Sequence, residues 1–283
     1  MTFGPSQYVP ILKVKRGEKA ALKIIAPLVG TRITPLLEIV ERNPEKKETL
    51  HKHLDTAFDK LAESLYAYPR CFIDTRELAG DGSIAADEVY KRAAATGIAF
   101  TPVTGVTRVH DFRAALNYRA QGIAIRLTRK NFETGRLEAL LMSFMGSHGL
   151  KPSEVDLIAD LGELDKMIPA GAYSLIDGFL SSIPNQPDWR TLTLSGCSFP
   201  PSMGAVKKNS WSLVQRLEWI SWRDHLFANR KGLKRLPSFG DCAIQHPAGV
   251  EGFDPRTMAA SAAVRYTLQD RWLLIKGQST KIQ

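Results

Sequence analysis

The chain has 283 residues, 44% of them hydrophobic and 24% charged, which is typical of a globular protein with its own core. The formal net charge of +9 permits contact with polyanions such as nucleic acid. It equally fits a soluble basic protein, because the Lys and Arg residues form several short clusters and no dominant run. Charge alone therefore identifies no partner.

The cysteines and the apolar segments indicate the compartment. Cys71, Cys197 and Cys242 are odd in number, far apart and without a CxxC pair, which argues against a disulfide framework or a zinc site. The chain does not begin with a charged segment followed by an apolar core, and it has no run of about 18 apolar residues. We therefore expect a cytoplasmic protein that neither crosses nor binds a membrane.

Eight short segments, apolar and rich in β-branched residues, predict β-strands. In chain order they are Tyr8–Leu12, Ile33–Ile39, Cys71–Asp74, Ile98–Val103, Gly122–Leu127, Val155–Asp160, Thr191–Ser195 and Phe239–Gln245. Helical patterns lie between them. The predicted helices include one from about Glu45 to Tyr66, one over Ile84–Ala95, one over His110–Arg119, one through Leu137 and Phe144, and one carrying Trp211, Trp219 and Trp222.

Strands that alternate with helices of ten or more residues favour a parallel sheet with helical crossovers, and eight such units favour closure. The sequence thus predicts an α/β fold, a single (β/α)₈ barrel of the TIM type over residues 1–283. An open doubly wound sheet is the alternative, but GxGxxG and GxxxxGK[ST] signatures are absent. Val264–Thr267 and Trp272–Lys276 predict a C-terminal β-hairpin, and no final helix follows it.

Three parts of the sequence resemble a known family. They are Tyr8–Lys13 with Gly17-Glu18, Ile33–Ile39, and Arg265-Tyr266-Thr267 with Trp272-Leu273 and Lys276-Gly277. These motifs resemble the phage "beta protein" family, found in bacteriophages and bacteria. The resemblance implies a setting of phage–bacterium conflict and a further C-terminal segment that this chain lacks. It implies no established activity and no catalytic residues.

Polar side chains close to strand ends are the candidate functional residues, because loops at the carboxyl ends of barrel strands carry function in this fold. The candidate catalytic residues are Lys13, Glu38, Asp74, Arg126 and Asp160, and the candidate binding residues are Ser195, Asp241 and His246. Asp241 is a weaker candidate, since it is predicted nearer the start of its strand. Carboxylates together could bind a divalent metal, or separate into an acid and a base.

A structural interpretation competes with the functional one at each of these positions. Charged residues next to apolar strands are costly to bury unless they pair, and a salt-bridge network at the rim needs no substrate. The Trp residues after strand seven, interleaved with arginines, could stack nucleic-acid bases, although packing on the barrel wall explains them as well. Cys197 is better explained as a buried structural residue than as a nucleophile.

Two functions therefore stay open. The first is a binding protein in phage–bacterium conflict, acting on nucleic acid or on a partner protein. The second is a metal-assisted phosphoester hydrolase that uses the rim carboxylates. The sequence does not determine the oligomeric state.

Overall fold

A computed structural model describes residues 3–42, 47–248 and 261–279 of the chain. Eight parallel strands close into a barrel in the order β1-β2-β3-β4-β5-β6-β7-β9, which confirms the predicted (β/α)₈ architecture. The barrel strands are β1 (Tyr8–Lys13), β2 (Leu36–Glu38), β3 (Cys71–Asp74), β4 (Phe100–Thr104), β5 (Ile123–Thr128), β6 (Val155–Glu163), β7 (Thr191–Cys197) and β9 (Ser238–Asp241).

The barrel strands are buried on both faces, as parallel strands under helices must be. Every residue of β3 and of β4 is buried. The register places Lys13 opposite Glu38, and Glu38 opposite Asp74. The first three strands therefore end level with one another and present their terminal side chains at one rim.

Helices connect the strands, and the helix that was predicted from about Glu45 to Tyr66 is two helices. They are α2 (Leu50–Phe58) and α3 (Leu61–Leu65), separated where Lys60 adopts a left-handed backbone with φ 56°. Glu45 itself lies outside the described residues. The other helices are α1 (Arg16–Val29), α4 (Ser83–Ala95), α5 (Val109–Asn117), α6 (Arg129–Glu133), α7 (Leu137–Ser147), α8 (Pro169–Ser181) and α9 (Leu217–Ile220), the last continuing as a π-helical segment, Ser221–Phe227.

A separate three-stranded antiparallel sheet contains the predicted C-terminal hairpin. Its strands are β8 (Ser210–Gln215), β10 (Ser261–Thr267) and β11 (Arg271–Ser279), with β11 in the middle. The placement of Trp211 on a helix was wrong, because Trp211 lies on β8. Its neighbours alternate between half-buried and exposed, which is the period of a strand with one covered face.

Three strands end two or more residues away from the predicted position. Strand β6 continues past Asp160 to Glu163, and β7 continues past Ser195 to Cys197. Strand β9 ends at Asp241 and does not reach Gln245, so Asp241 is the last residue of its strand and not near its start. The chain turns after Asp241 because Ala243 adopts a left-handed backbone with φ 51°.

The chain divides into two compact units. The first comprises residues 1–160, 179–194 and 234–240, and the second comprises residues 161–178, 195–233 and 241–283. Over the described residues, no helix is long and apolar enough to span a bilayer.

Candidate functional site

The rim of the first unit contains a buried ion cluster centred on Arg126. Its Nη1 donates to Glu38 Oε1 at 2.7 Å and to Asp74 Oδ2 at 2.8 Å, and its Nε donates to Asp160 Oδ2 at 2.8 Å. The arginine is 3% exposed, and all three carboxylates are buried. Four of the five candidate catalytic residues therefore meet, and one guanidinium binds the three carboxylates. We call Arg126, Glu38, Asp74 and Asp160 the rim cluster.

Further arginines neutralise the same carboxylates. Arg108 Nη1 lies 2.7 Å from Asp74 Oδ1 and also pairs with Asp111 at the start of α5. Burial alone would raise the pKa of Asp74, but the positive charges of Arg108, Arg126 and Arg76 outweigh it and lower that pKa to about 2. The same three carboxylates raise the pKa of Arg126 well above its ordinary value, against the effect of burial. Asp74 and Arg126 are therefore both charged at neutral pH.

The outer edge of the rim is less buried. The half-buried Arg76 lies 3.8 Å from Glu38 Oε1 and 3.6 Å from Asp160 Oδ2. Lys13, the fifth candidate catalytic residue, lies beside Glu38 in the register, but its ammonium donates to Glu77 at 2.8 Å. These pairs leave the rim carboxylates with cationic partners on several sides. Carboxylates paired in this way are balanced without a substrate.

A second buried cluster in the first unit was missed by sequence reasoning. Asp156, near the start of β6, accepts from Arg70 at 2.7 and 3.1 Å and from Arg190 at 2.5 and 3.1 Å. Thr191 also donates to it at 2.7 Å. Asp156 lies four residues before Asp160 in an apolar strand, so both point to the same face. That spacing of two acids in an apolar strand was the available signal.

The candidate binding residues lie in the second unit and have separate surroundings. Ser195 is buried, and its hydroxyl has no hydrogen-bond partner in the described part of the chain. Asp241 accepts from Arg216 at 3.3 Å and from the amide of Ala243 at 2.9 Å. His246 lies five residues beyond β9, buried, with its Nε2 3.7 Å from Glu163.

Glu218 on α9 is a buried carboxyl that the sequence did not reveal. Its Oε2 accepts from the Ser198 amide at 3.0 Å and lies against the Ser198 hydroxyl, while its Oε1 is 3.9 Å from Arg216 Nε. Burial and the neighbouring Asp241 raise the pKa of Glu218 to about 7, outweighing Ser198 and Arg216. Two buried carboxyls therefore share Arg216, and one of them holds a proton below neutral pH.

The raised pKa of Glu218 predicts a pH dependence of stability. Folded protein retains the Glu218 proton up to pH of about 7, whereas the unfolded chain loses it near 4.5. The contribution is complete below pH 4.5 and is lost as the pH rises to about 7, a loss of roughly 3 kcal/mol. Urea unfolding of wild type and of Glu218→Gln across this pH range measures this loss of stability. Parallel curves for the two proteins would contradict the assignment.

The three-stranded sheet of the second unit has one buried face and one exposed face. On the buried face, Trp272 packs edge-on against Phe199 with ring centroids 5.4 Å apart. The exposed face is apolar, although solvent-facing sides of antiparallel sheets are normally polar. The register aligns two rows across its strands, Trp211–Ile275–Val264 and Leu213–Leu273–Tyr266.

Aromatic and basic residues mark the edges of this face. Trp211 is 65% exposed and Tyr266 61%, each on an outer strand. Arg271 shares the face in the next row, opposite Gln215, and the exposed Lys207 and Lys208 precede β8. We call Trp211, Leu213, Val264, Tyr266, Leu273 and Ile275 the aromatic face. An exposed apolar patch of this kind indicates an interaction surface.

Comparison with solved structures returns barrel enzymes at low similarity. The carboxyl transferase domain of Rhizobium etli pyruvate carboxylase, solved with pyruvate and biocytin, is 13% identical, with a TM-score of 0.43 over 83% of this chain. The chain spans about 40% of the length of that structure. Triosephosphate isomerase from Bartonella henselae is 10% identical, with a TM-score of 0.34, and 83% of this chain covers 92% of it. No curated protein sequence matches the chain.

The strand order and the rim cluster define a class: a (β/α)₈ barrel protein whose rim charges are paired with one another. The sequence profile described as "Beta protein" matches residues 8–283, nearly the whole chain. The chain therefore belongs to the Beta protein family, which confirms the resemblance seen in its motifs.

Proposed function

We propose that this protein is a cytoplasmic binding protein for single-stranded nucleic acid, acting in phage–bacterium conflict. The observation that carries the proposal is the aromatic face, where two highly exposed rings share a sheet surface with Arg271. Proteins that bind single strands without sequence preference combine aromatic stacking platforms with cations that neutralise phosphates. The conflict setting rests on the family resemblance alone.

The charges around the aromatic face favour a polyanion over a second copy of the chain. Arg271 lies in the row next to the apolar rows, Lys207 and Lys208 are exposed in the segment before β8, and the whole chain carries a formal charge of +9. Two copies that met face to face would bring like charges together, which is unfavourable. A single strand supplies phosphates for the cations and bases for Trp211 and Tyr266.

The hydrolase alternative has weaker support. Metal-assisted hydrolysis at the rim requires carboxylate oxygens that face an ion and a substrate. Arg126 instead donates to Glu38, Asp74 and Asp160, and so fills the position between them. A partner protein is the other candidate ligand of the aromatic face. The following experiment asks whether nucleic acid binds there instead.

Replacing Trp211 with alanine is expected to weaken binding of an oligothymidylate of about 15 nucleotides by about 5- to 100-fold, since stacking contributes about 1–3 kcal/mol per base. Tyr266→Ala should act similarly. Fluorescence anisotropy in low salt measures the affinity of both variants for the oligonucleotide. Tyr66→Ala is the matched control, because Tyr66 is 65% exposed but lies on the other unit.

Salt dependence distinguishes phosphate contacts from apolar contacts. The double variant Lys207→Ala/Lys208→Ala should reduce the slope of log affinity against log salt, by about 0.7 for each phosphate that the variant no longer neutralises. Retention of full affinity by Trp211→Ala and Tyr266→Ala would refute this face as the site. No binding of the oligonucleotide by wild-type protein at low salt would end the nucleic-acid proposal itself.

A further inference from the structure

Three metal-ligand side chains meet in the second unit, and none of them belongs to the aromatic face. Glu163 is the last residue of β6, Asp165 follows two residues later, and His246 belongs to the loop after β9. One ligand atom from each, two carboxylate oxygens and an imidazole nitrogen, lies within 4.8 Å of the others. An ion at their centre would reach all three with small side-chain movements.

The buried imidazole distinguishes this group from an ordinary acidic surface patch. The His246 side chain is 5% exposed, and its Nε2 is 3.7 Å from Glu163 Oε1, beyond hydrogen-bond distance. That nitrogen has no hydrogen-bond partner within the described ranges. A buried polar atom without a partner requires an explanation, and an ion is one of the few available. The Glu163 carboxylate is half exposed, which leaves a route from solvent.

The backbone holds the three residues in place. Gly162 adopts a left-handed conformation with φ 69° just before Glu163, and the Leu164 amide donates to the Cys197 carbonyl at 2.7 Å. The Cys197 thiol donates to the Gln245 carbonyl at 3.4 Å, next to His246. That thiol proton is engaged, so the ligand set is two carboxylates and one imidazole.

We propose that Glu163, Asp165 and His246 bind a first-row divalent transition metal, with Zn²⁺ and Mn²⁺ as the fitting ions. Imidazole nitrogen is a good ligand for Zn²⁺, and the two carboxylates suit Mn²⁺ as well, whereas Mg²⁺ and Ca²⁺ take oxygen ligands throughout. Three protein ligands leave coordination positions for water, as in open metal sites. The site lies outside the rim cluster and does not depend on nucleic-acid binding.

Metal binding changes the tautomer of His246. Its Nδ1 accepts from the Ala248 amide at 3.3 Å, a long hydrogen bond, and this places the proton of the neutral ring on Nε2. Coordination through Nε2 moves that proton to Nδ1, so the Ala248 amide must turn away. The ¹⁵N chemical shifts of the imidazole therefore report binding independently of any activity.

Mn²⁺ titration followed by electron paramagnetic resonance is the direct test, with Zn²⁺ as competitor. Wild-type protein should bind one Mn²⁺ per chain, Zn²⁺ should displace it, and equimolar Mg²⁺ should not. Glu163→Gln, Asp165→Asn and His246→Gln should each weaken binding by about tenfold or more, since even supporting residues of metal sites cost that much. His225→Gln is the matched control, because His225 pairs with the single acid Asp177.

The outcomes separate cleanly. Absence of stoichiometric Mn²⁺ or Zn²⁺ binding by wild-type protein would overturn the proposal, as would equal binding by all three variants. If a variant unfolds, as circular dichroism would show, the wild-type titration decides. Mn²⁺ must then broaden the His246 ring resonances before those of His225, and the reverse order would overturn the proposal.

Discussion

Replacing Arg126 with methionine is expected to destabilise the folded protein by about 3–5 kcal/mol, as for other buried ion pairs that lose one partner. Methionine preserves apolar contacts of the side chain but leaves Glu38, Asp74 and Asp160 without the donor they share. Three buried carboxylates would then repel one another. Urea unfolding at neutral pH measures the loss, and Arg113→Met, at an exposed position of α5, is the control.

The pH dependence of this variant tests the mechanism. In wild type, the pKa of Asp74 is lowered to about 2, so its contribution to stability is present above its ordinary value of 3.8 and is lost as the pH falls toward 2. Without Arg126, mild acid should partly restore the variant, because protonation relieves the repulsion. A variant as stable as wild type at neutral pH would mean that Arg108 and Arg76 are enough to neutralise the rim carboxylates.

The same reasoning separates a scaffold from an active site at the rim. A hydrolase would lose activity but keep its fold when Glu38 or Asp74 is replaced, whereas a structural network loses stability. Catalytic sites frequently hold groups whose pKa values lie near the working pH. Asp74 is instead held far below that range by Arg108, Arg126 and Arg76. We therefore expect the rim cluster to stabilise the barrel, which unfolding of the Glu38 and Asp74 variants would measure.

The convergence of the rim residues was predictable because it follows from topology. Parallel strands in register end at one rim, so Glu38, Asp74, Arg126 and Asp160 had to lie near each other once closure was inferred. Lys13 shares the rim, but its long side chain reaches Glu77. Rotamer choices of this kind depend on neighbours in space, which strand patterns do not specify.

The features that were missed depend on contacts between distant segments. Glu218 sits on a four-residue helix that continues as a π-helical segment, and no local pattern marks such a helix as the site of a buried acid. Trp211 was misplaced because the spacing of tryptophans outweighed the two-residue alternation of Ser210–Gln215. The alternation was the better guide, because successive side chains of a strand point to opposite faces of the sheet.

Replacing Asp156 with alanine is expected to have an effect as large as the loss of Arg126, about 3–5 kcal/mol. The two clusters have opposite charge arrangements. At the rim, one arginine binds three carboxylates, whereas here one carboxylate binds two arginines, Arg70 and Arg190. Alanine leaves two guanidiniums close together in a buried place, with Arg70 only 3% exposed. Urea unfolding measures the change, and Asp87→Ala, at an exposed position of α4, should change stability little.

A glycine variant separates the ion pair from other effects of deleting Asp156. Gly122 has φ 85°, and a Cβ there would lie 1.9 Å from Arg190 Nη1, so Gly122→Ala must displace the arginine from Asp156. Gly135→Ala is matched, because φ is 66° there but the Cβ would meet open space. Both variants carry backbone strain, and only Gly122→Ala should add the cost of a broken ion pair. Equal unfolding free energies for the two would show that Arg190 is dispensable and that Arg70 alone balances Asp156.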